Sequence, residues 1–163
     1  MNTEEFNNEL ILNCRYGELE ELKSALESVT EQRKVILATV NGHSCLFMAS
    51  ANGHNDVLKY LFKYILPTDI NVQNAEGSTP LHWAALNGHL ETVKLLLDFG
   101  ANATIRNQVG ISPATLAEQN NHLECVKVLL ESYDPEDDDD DDVQPDASGD
   151  IVVSNLDPEY AQR

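Results

Sequence analysis

Five histidines and three cysteines are the residues of this chain best suited to metal or proton chemistry, and their spacing argues against both. His43, His54, His82, His89 and His122 have no carboxylate or thiol at ligand spacing, and Cys14, Cys45 and Cys125 form no C-x-x-C pair. An odd set of widely separated cysteines suggests neither a disulfide framework nor a zinc site, so they read as three reduced packing thiols. No Ser/His/Asp or Cys/His arrangement, phosphate-binding glycine loop or nucleotide fingerprint occurs, so no catalytic residue, cofactor or metal is expected. The run EDDDDDDV at 136–143 contains D-x-D-x-D, the opening of a calcium loop. From Asp137, however, the sixth position is Asp142 rather than Gly and the twelfth is Ser148 rather than Glu, which excludes an EF-hand.

What this run can do is electrostatic. The 163 residues carry a formal charge of −18. Residues 134–163 hold 12 Asp and Glu against Arg163 alone, which leaves residues 1–133 with 16 acids against 9 bases. Direct binding of nucleic acid is not expected, because it depends on Lys and Arg displacing counterions. A basic protein is the natural partner. The start MNTEEFNNELILNC has no positive n-region or long apolar core, and no apolar run reaches a membrane span of about 18–20 residues, so an intracellular chain is expected. Its length suits one folded domain followed by an acidic tail that stays disordered.

The elements that position these residues repeat. GSTPLHWAALNGHLETVKLLL at 77–97 realigns with GHSCLFMASANGHNDVLKYLF at 42–62 and with GISPATLAEQNNHLECVKVLL at 110–130, and LILNCRYGELEELKSAL at 10–26 is a fainter copy. The histidines follow the same period, so their expected work is structural: His82 ties its own turn and the Gly-His pairs brace the second helix. Thr79 can cap a helix whose first position is Pro80. Gly88 supplies the left-handed turn that ends it. A second helix runs back, with Val93, Leu96 and Leu97 at i, i+3 and i+4, matched by Leu58, Leu61 and Phe62 and by Val126, Leu129 and Leu130. No such unit buries its apolar face alone, so several must stack.

The stretch TPLHWAALNGHLETVKLLLDFGAN resembles the ankyrin repeat, and the resemblance extends over about residues 6–133. It implies an all-α solenoid of about four repeats, near 6–38, 39–73, 74–106 and 107–133, with β-hairpin fingers and a concave groove between fingers and first helices. The first copy, with Glu18, Glu20, Glu21 and Lys23 outward, fits a cap. Small insertions fall in ESVTEQRKVILATVN and KYILPTDINVQNAEG, as expected of fingers. Met48, Trp83 and Leu116 occupy one equivalent position and form a row that is either inter-repeat core or a recognition ridge. By the same register the groove candidates are Val40, Asn41, His43, Ala51 and Asn52; Ala75, Glu76, Ser78, Leu86 and Asn87; and Gln108, Val109, Ile111, Gln119 and Asn120.

The carboxylates of Asp137, Asp138, Asp139, Asp140, Asp141 and Asp142 can sweep the mouth of such a groove, and at a screening length of about 8 Å they act on a partner already near it. GDIVVSNLDPEY at 149–160 adds apolar residues enough for a short docking motif. Four short repeats, an acidic lead-in, LHWAALNGHLETVKLL, then IRN, then YDPEDDDD are similar in order to the fungal ankyrin-repeat chaperones of the third small-subunit ribosomal protein. That resemblance implies a monomeric, non-enzymatic escort of a basic ribosomal protein in cytoplasm and nucleus. The rival expectation is an inhibitor or scaffold of a transcription or signalling protein, its acidic tail mimicking DNA.

Overall fold

The structure, a computed structural model, describes residues 2–133. The acidic tail expected at 134–163 lies outside the described residues, with Asp137 to Asp142 and the segment 149–160. The described residues form nine α-helices and no strand: α1 (Thr3–Tyr16), α2 (Leu19–Glu27), α3 (Gln32–Leu37), α4 (Cys45–Ala51), α5 (Asn55–Leu61), α6 (Pro80–Leu86), α7 (Leu90–Phe99), α8 (Pro113–Gln119) and α9 (Leu123–Glu131). First helices α1, α4, α6 and α8 stack side by side in one layer, and second helices α2, α5, α7 and α9 in another. The expected all-α solenoid is therefore the observed one.

Helices α4, α6 and α8 have seven residues each, too few to hold in water without packing. Their stability comes from burial between neighbours. Leu46, Phe47, Leu81, Leu58, Leu61 and Leu96 are all essentially inaccessible to solvent. At about 1.5–3 kcal/mol per buried side chain, this inter-repeat burial outweighs the weak intrinsic preference of such short segments. The rings of Phe62 and Phe99 stack across two second helices at 4.0 Å.

The turn after each first helix is locked from the following repeat. Gly17, Gly53 and Gly88 have φ between 70° and 75°. A Cβ on Gly17 or Gly53 would lie 2.6 or 2.8 Å from the imidazole of His54 or His89, and one on Gly88 would run into His122. Each of these imidazoles bonds a carbonyl of the preceding repeat through Nε2: His54 to Arg15 at 2.8 Å, His89 to Ala51 at 2.9 Å and His122 to Leu86 at 3.1 Å. The Gly-His pairs thus brace repeat to repeat, whereas the sequence suggested that they brace the helix they begin. At the fourth turn Asn121 adopts the same left-handed conformation, φ 61°.

One further expectation changes, and the acidic lead-in takes a form that the sequence reading did not specify. The lead-in is helical: α1 starts at Thr3, capped reciprocally by Asn2 and Glu5 at 2.8 and 3.0 Å. The insertions are short helical pieces rather than extended fingers, α3 in one and a 3-10 turn at Pro67–Asn71 in the other. They bury Ile36 and Ile70 and are clamped together by a bidentate bridge from Arg33 to Asp69 at 2.8 and 2.9 Å.

Candidate functional site

The groove is assembled by turns that spend their polar groups locally. Asn74 Oδ1 accepts from the N–H groups of Glu76 and Ser78 at 3.0 and 2.9 Å, and Asn107 Oδ1 accepts from Val109 and Ile111 at 3.2 and 2.9 Å. These side-chain-closed turns form the finger tips. The next finger is tied on by the Gln108 N–H to the Glu76 carbonyl at 3.0 Å and by Gln108 Nε2 to the Ala75 carbonyl at 2.7 Å. At the earlier finger Val40 and His43 form an isolated antiparallel bridge.

His82 fixes the finger against the first helix. The Thr79 N–H donates to His82 Nδ1 at 3.0 Å, which makes Nδ1 the acceptor and puts the ring proton on Nε2, which donates to the Ile111 carbonyl at 3.0 Å. Burial pushes the His82 pKa below the usual histidine value, against the opposing pull of the Ile111 carbonyl. His82 is a neutral buried strut, as its repeat position implies, and it also ties the next repeat.

Trp83 stands half-buried beside this strut and is shared by two adjoining depressions. One is bordered by Glu76, Ser78, His82, Leu86, Asn107 and Leu116. The other runs along Asn41, Gly42, His43, Phe47, Asn74 and Ala75 and again meets Glu76. Through Asn41 the surface continues to Asn2, Glu4, Glu5, Asn8 and Val40. No Lys or Arg borders any of the three, while Glu4, Glu5 and Glu76 do. Trp83 Nε1 is buried and has no hydrogen-bond partner among the described residues. An unsatisfied buried N–H costs about 1–3 kcal/mol.

The row Met48, Trp83, Leu116 is divided by this geometry. Met48 is buried at 9% exposure and borders neither depression, so the row has no exposed ridge there; its neighbour Phe47 touches the second depression with only 2% of its surface exposed. Trp83 and Leu116 meet in one depression. Asn41, His43, Glu76, Ser78 and Leu86 join them, although Ser78 is only 8% exposed. Ile111 is buried and contributes its carbonyl to His82.

Asn52, Asn87 and Asn120 stand at helix ends, where Nδ2 donates to the Met48, Ala51 and Leu116 carbonyls at 2.8, 2.9 and 2.8 Å. Each thus commits one amide proton to the scaffold. The sequence reading missed Asn74 and Asn107, although their 33-residue spacing and the glycine three positions later mark them as turn residues. It also missed Glu4, Glu5 and Asn8, because the faint first copy gives no register for the extended α1. Among the described residues no cluster of His, Cys, Asp and Glu is placed to hold a metal, and no helix is long and apolar enough to cross a membrane. The Cys14 thiol is held well above its usual pKa, first by its hydrogen bond with Cys45 and then by burial, so it is a poor nucleophile.

Comparison with known proteins agrees with this architecture. A family model of three ankyrin repeats matches residues 61–139, and a single ankyrin repeat matches residues 41–75. Similar chains include the ankyrin repeat-containing protein ITN1 of Arabidopsis thaliana, 41% identical over 75 residues (45% of this chain, 13% of that one). The E3 ubiquitin-protein ligase XBAT32 of the same plant is 60% identical over 40 residues, 24% of this chain and 8% of the ligase. The palmitoyltransferase AKR1 of Lachancea kluyveri is 32% identical over 95 residues, 58% of this chain and 13% of the transferase. The chain spans 13% or less of the length of these relatives. Together, the matched repeats and the stacked helix pairs make this chain a member of the ankyrin-repeat family, whose fold serves protein–protein interaction.

Proposed function

We propose that the protein is a dedicated, non-enzymatic chaperone that captures a segment of a newly made basic small-subunit ribosomal protein in the groove around Trp83. The observation that carries this reading is the groove itself: an apolar floor at Trp83, Leu86 and Leu116, and a border with carboxylates and no cation. A ribosomal protein is basic because it neutralises rRNA, so before assembly it exposes a cationic, RNA-seeking surface. The six consecutive aspartates following the last repeat would cover part of that surface. Binding by charge also supplies release, since rRNA is a denser polyanion and competes for the same cations without ATP. Escort of this kind places the protein in cytoplasm and nucleus, as a monomer in a one-to-one complex. The order of features along the chain, similar to the fungal chaperones of the third small-subunit ribosomal protein, supports that protein as cargo.

The test is recovery from lysate with the full chain, with Trp83→Ala and with Asp137 to Asp142 all changed to Asn, identifying bound proteins by mass spectrometry. One free small-subunit ribosomal protein, weakened by either change, is the expected catch. A transcription or signalling protein selected by Trp83, with ribosomal proteins only as a salt-sensitive background that depends on the aspartates, would make the groove that of an inhibitor or scaffold.

A further inference from the structure

The two ends of the solenoid are finished differently. At the amino-terminal end the groove between α1 and α2 sets a rim of Glu9, Glu20, Glu21 and Ser24 around Phe6, Leu10 and Ala25. At the other end α9 turns Leu123 and Leu130 outward, 67% and 61% exposed, on one stripe with half-buried Val126. Leu130 belongs to the stripe that in earlier repeats faces the next repeat. An apolar face of this kind at the end of a stack requires a cover.

We propose that the cover is the chain's own segment IVVSNL, residues 151–156, docked along Leu123, Val126 and Leu130 of α9. The segment offers Ile151, Val152, Val153 and Leu156, and an extended length of six residues, about 20 Å, exceeds the roughly 10 Å between Leu123 and Leu130 along the helix. The 17 residues from 134 to 150 join the two. A Gly-rich chain of that length spans about 20–25 Å root-mean-square, and repulsion among the ten carboxylates of this one extends it further, still long enough to return to α9. Asp150 and Asp157 flank the segment, and Lys127, exposed between Leu123 and Leu130, is the one cation of α9. Glu124 and Glu131 lie on the same helix, so apolar contact carries most of the match. A second copy is a poorer cover, because each chain brings a net charge of −18. The inference stands independently of the cargo reading.

Amide hydrogen exchange on the full chain tests it, comparing the native sequence with the double change Val152→Asp and Val153→Asp, which lies outside the solenoid core. The expected result is exchange at residues 127–131 about tenfold faster in the variant, with α4 unchanged and both chains monomeric by sedimentation. Equal exchange in the two chains overturns the proposal. Protection of α9 that rises with protein concentration, alongside a dimer that Leu123→Glu dissolves, assigns the face to a second copy and overturns it as well. So does protection that arises only when a basic protein is added.

Discussion

Gly88→Ala probes the reasoning about the turns most sharply, because two separate costs meet at one atom. The backbone there has φ 71°, and an L-residue with a Cβ pays about 1–2 kcal/mol in that region. The new methyl would also meet the His122 ring, which is anchored on the Leu86 carbonyl at 3.1 Å. Moving the ring gives up that hydrogen bond, at about 1 kcal/mol. The expected loss is therefore about 2–3 kcal/mol, a sizeable part of a typical domain stability of about 5–15 kcal/mol. Urea unfolding followed by circular dichroism measures it, and a double-mutant cycle separates the parts. In a His122→Ala background the same glycine change should cost only the backbone share, about 1–2 kcal/mol. Asn121→Gly, at the turn where the described chain carries no further histidine, should move stability by less than about 1 kcal/mol. The reasoning fails if Gly88→Ala is nearly neutral, or if its cost is the same with and without His122.

Three further outcomes follow from the same structure. Because burial holds the His82 pKa below the unfolded value of about 6.5, the unfolded chain binds more protons below that pH, and stability falls as pH drops from about 6.5 toward the folded pKa. Urea midpoints at pH 7.5 and 5.5 should show that loss, and His82→Gln should flatten it. The Arg33 hydrogen bonds hold the Asp69 carboxyl below its usual range, so the clamp contributes above about pH 4 and is lost as pH falls through the folded pKa. Carboxyl-carbon NMR titration should show the Asp69 pKa rising toward its ordinary value in Arg33→Ala. Leu96→Ala, which empties a fully buried site between second helices, should cost about 2–5 kcal/mol in the same unfolding assay.

Much of the solenoid was legible because each repeat states its own mechanics. Thr79, Pro80 and Gly88 each perform the cap, start and turn that their residue types imply. The inward stripes were readable too, since Val93 and Leu96 fall at helical spacing and both are buried. What a single repeat does not state is its relation to its neighbours. The reach of His54 and His89 into the preceding repeat, and the clamp between Arg33 and Asp69 across 36 positions, arise only on stacking. The groove was half legible for the same reason. Equivalent register placed Met48 beside Trp83 and Leu116, but register does not say which side of a short helix a neighbour covers, and at repeat two both Phe47 and Met48 are buried.

The most direct test of the capture of a basic cargo at Trp83 is the emission of that indole, the chain's single tryptophan, as the purified third small-subunit ribosomal protein is added, recorded through its own tryptophan-free variant. A saturable change reaching its end at one cargo per chain, with Trp83→Ala weakening binding about 30-fold or more by calorimetry, is the expected result. Binding that leaves the indole emission unchanged and survives Trp83→Ala would contradict the account, because the groove would then play no part in holding the cargo.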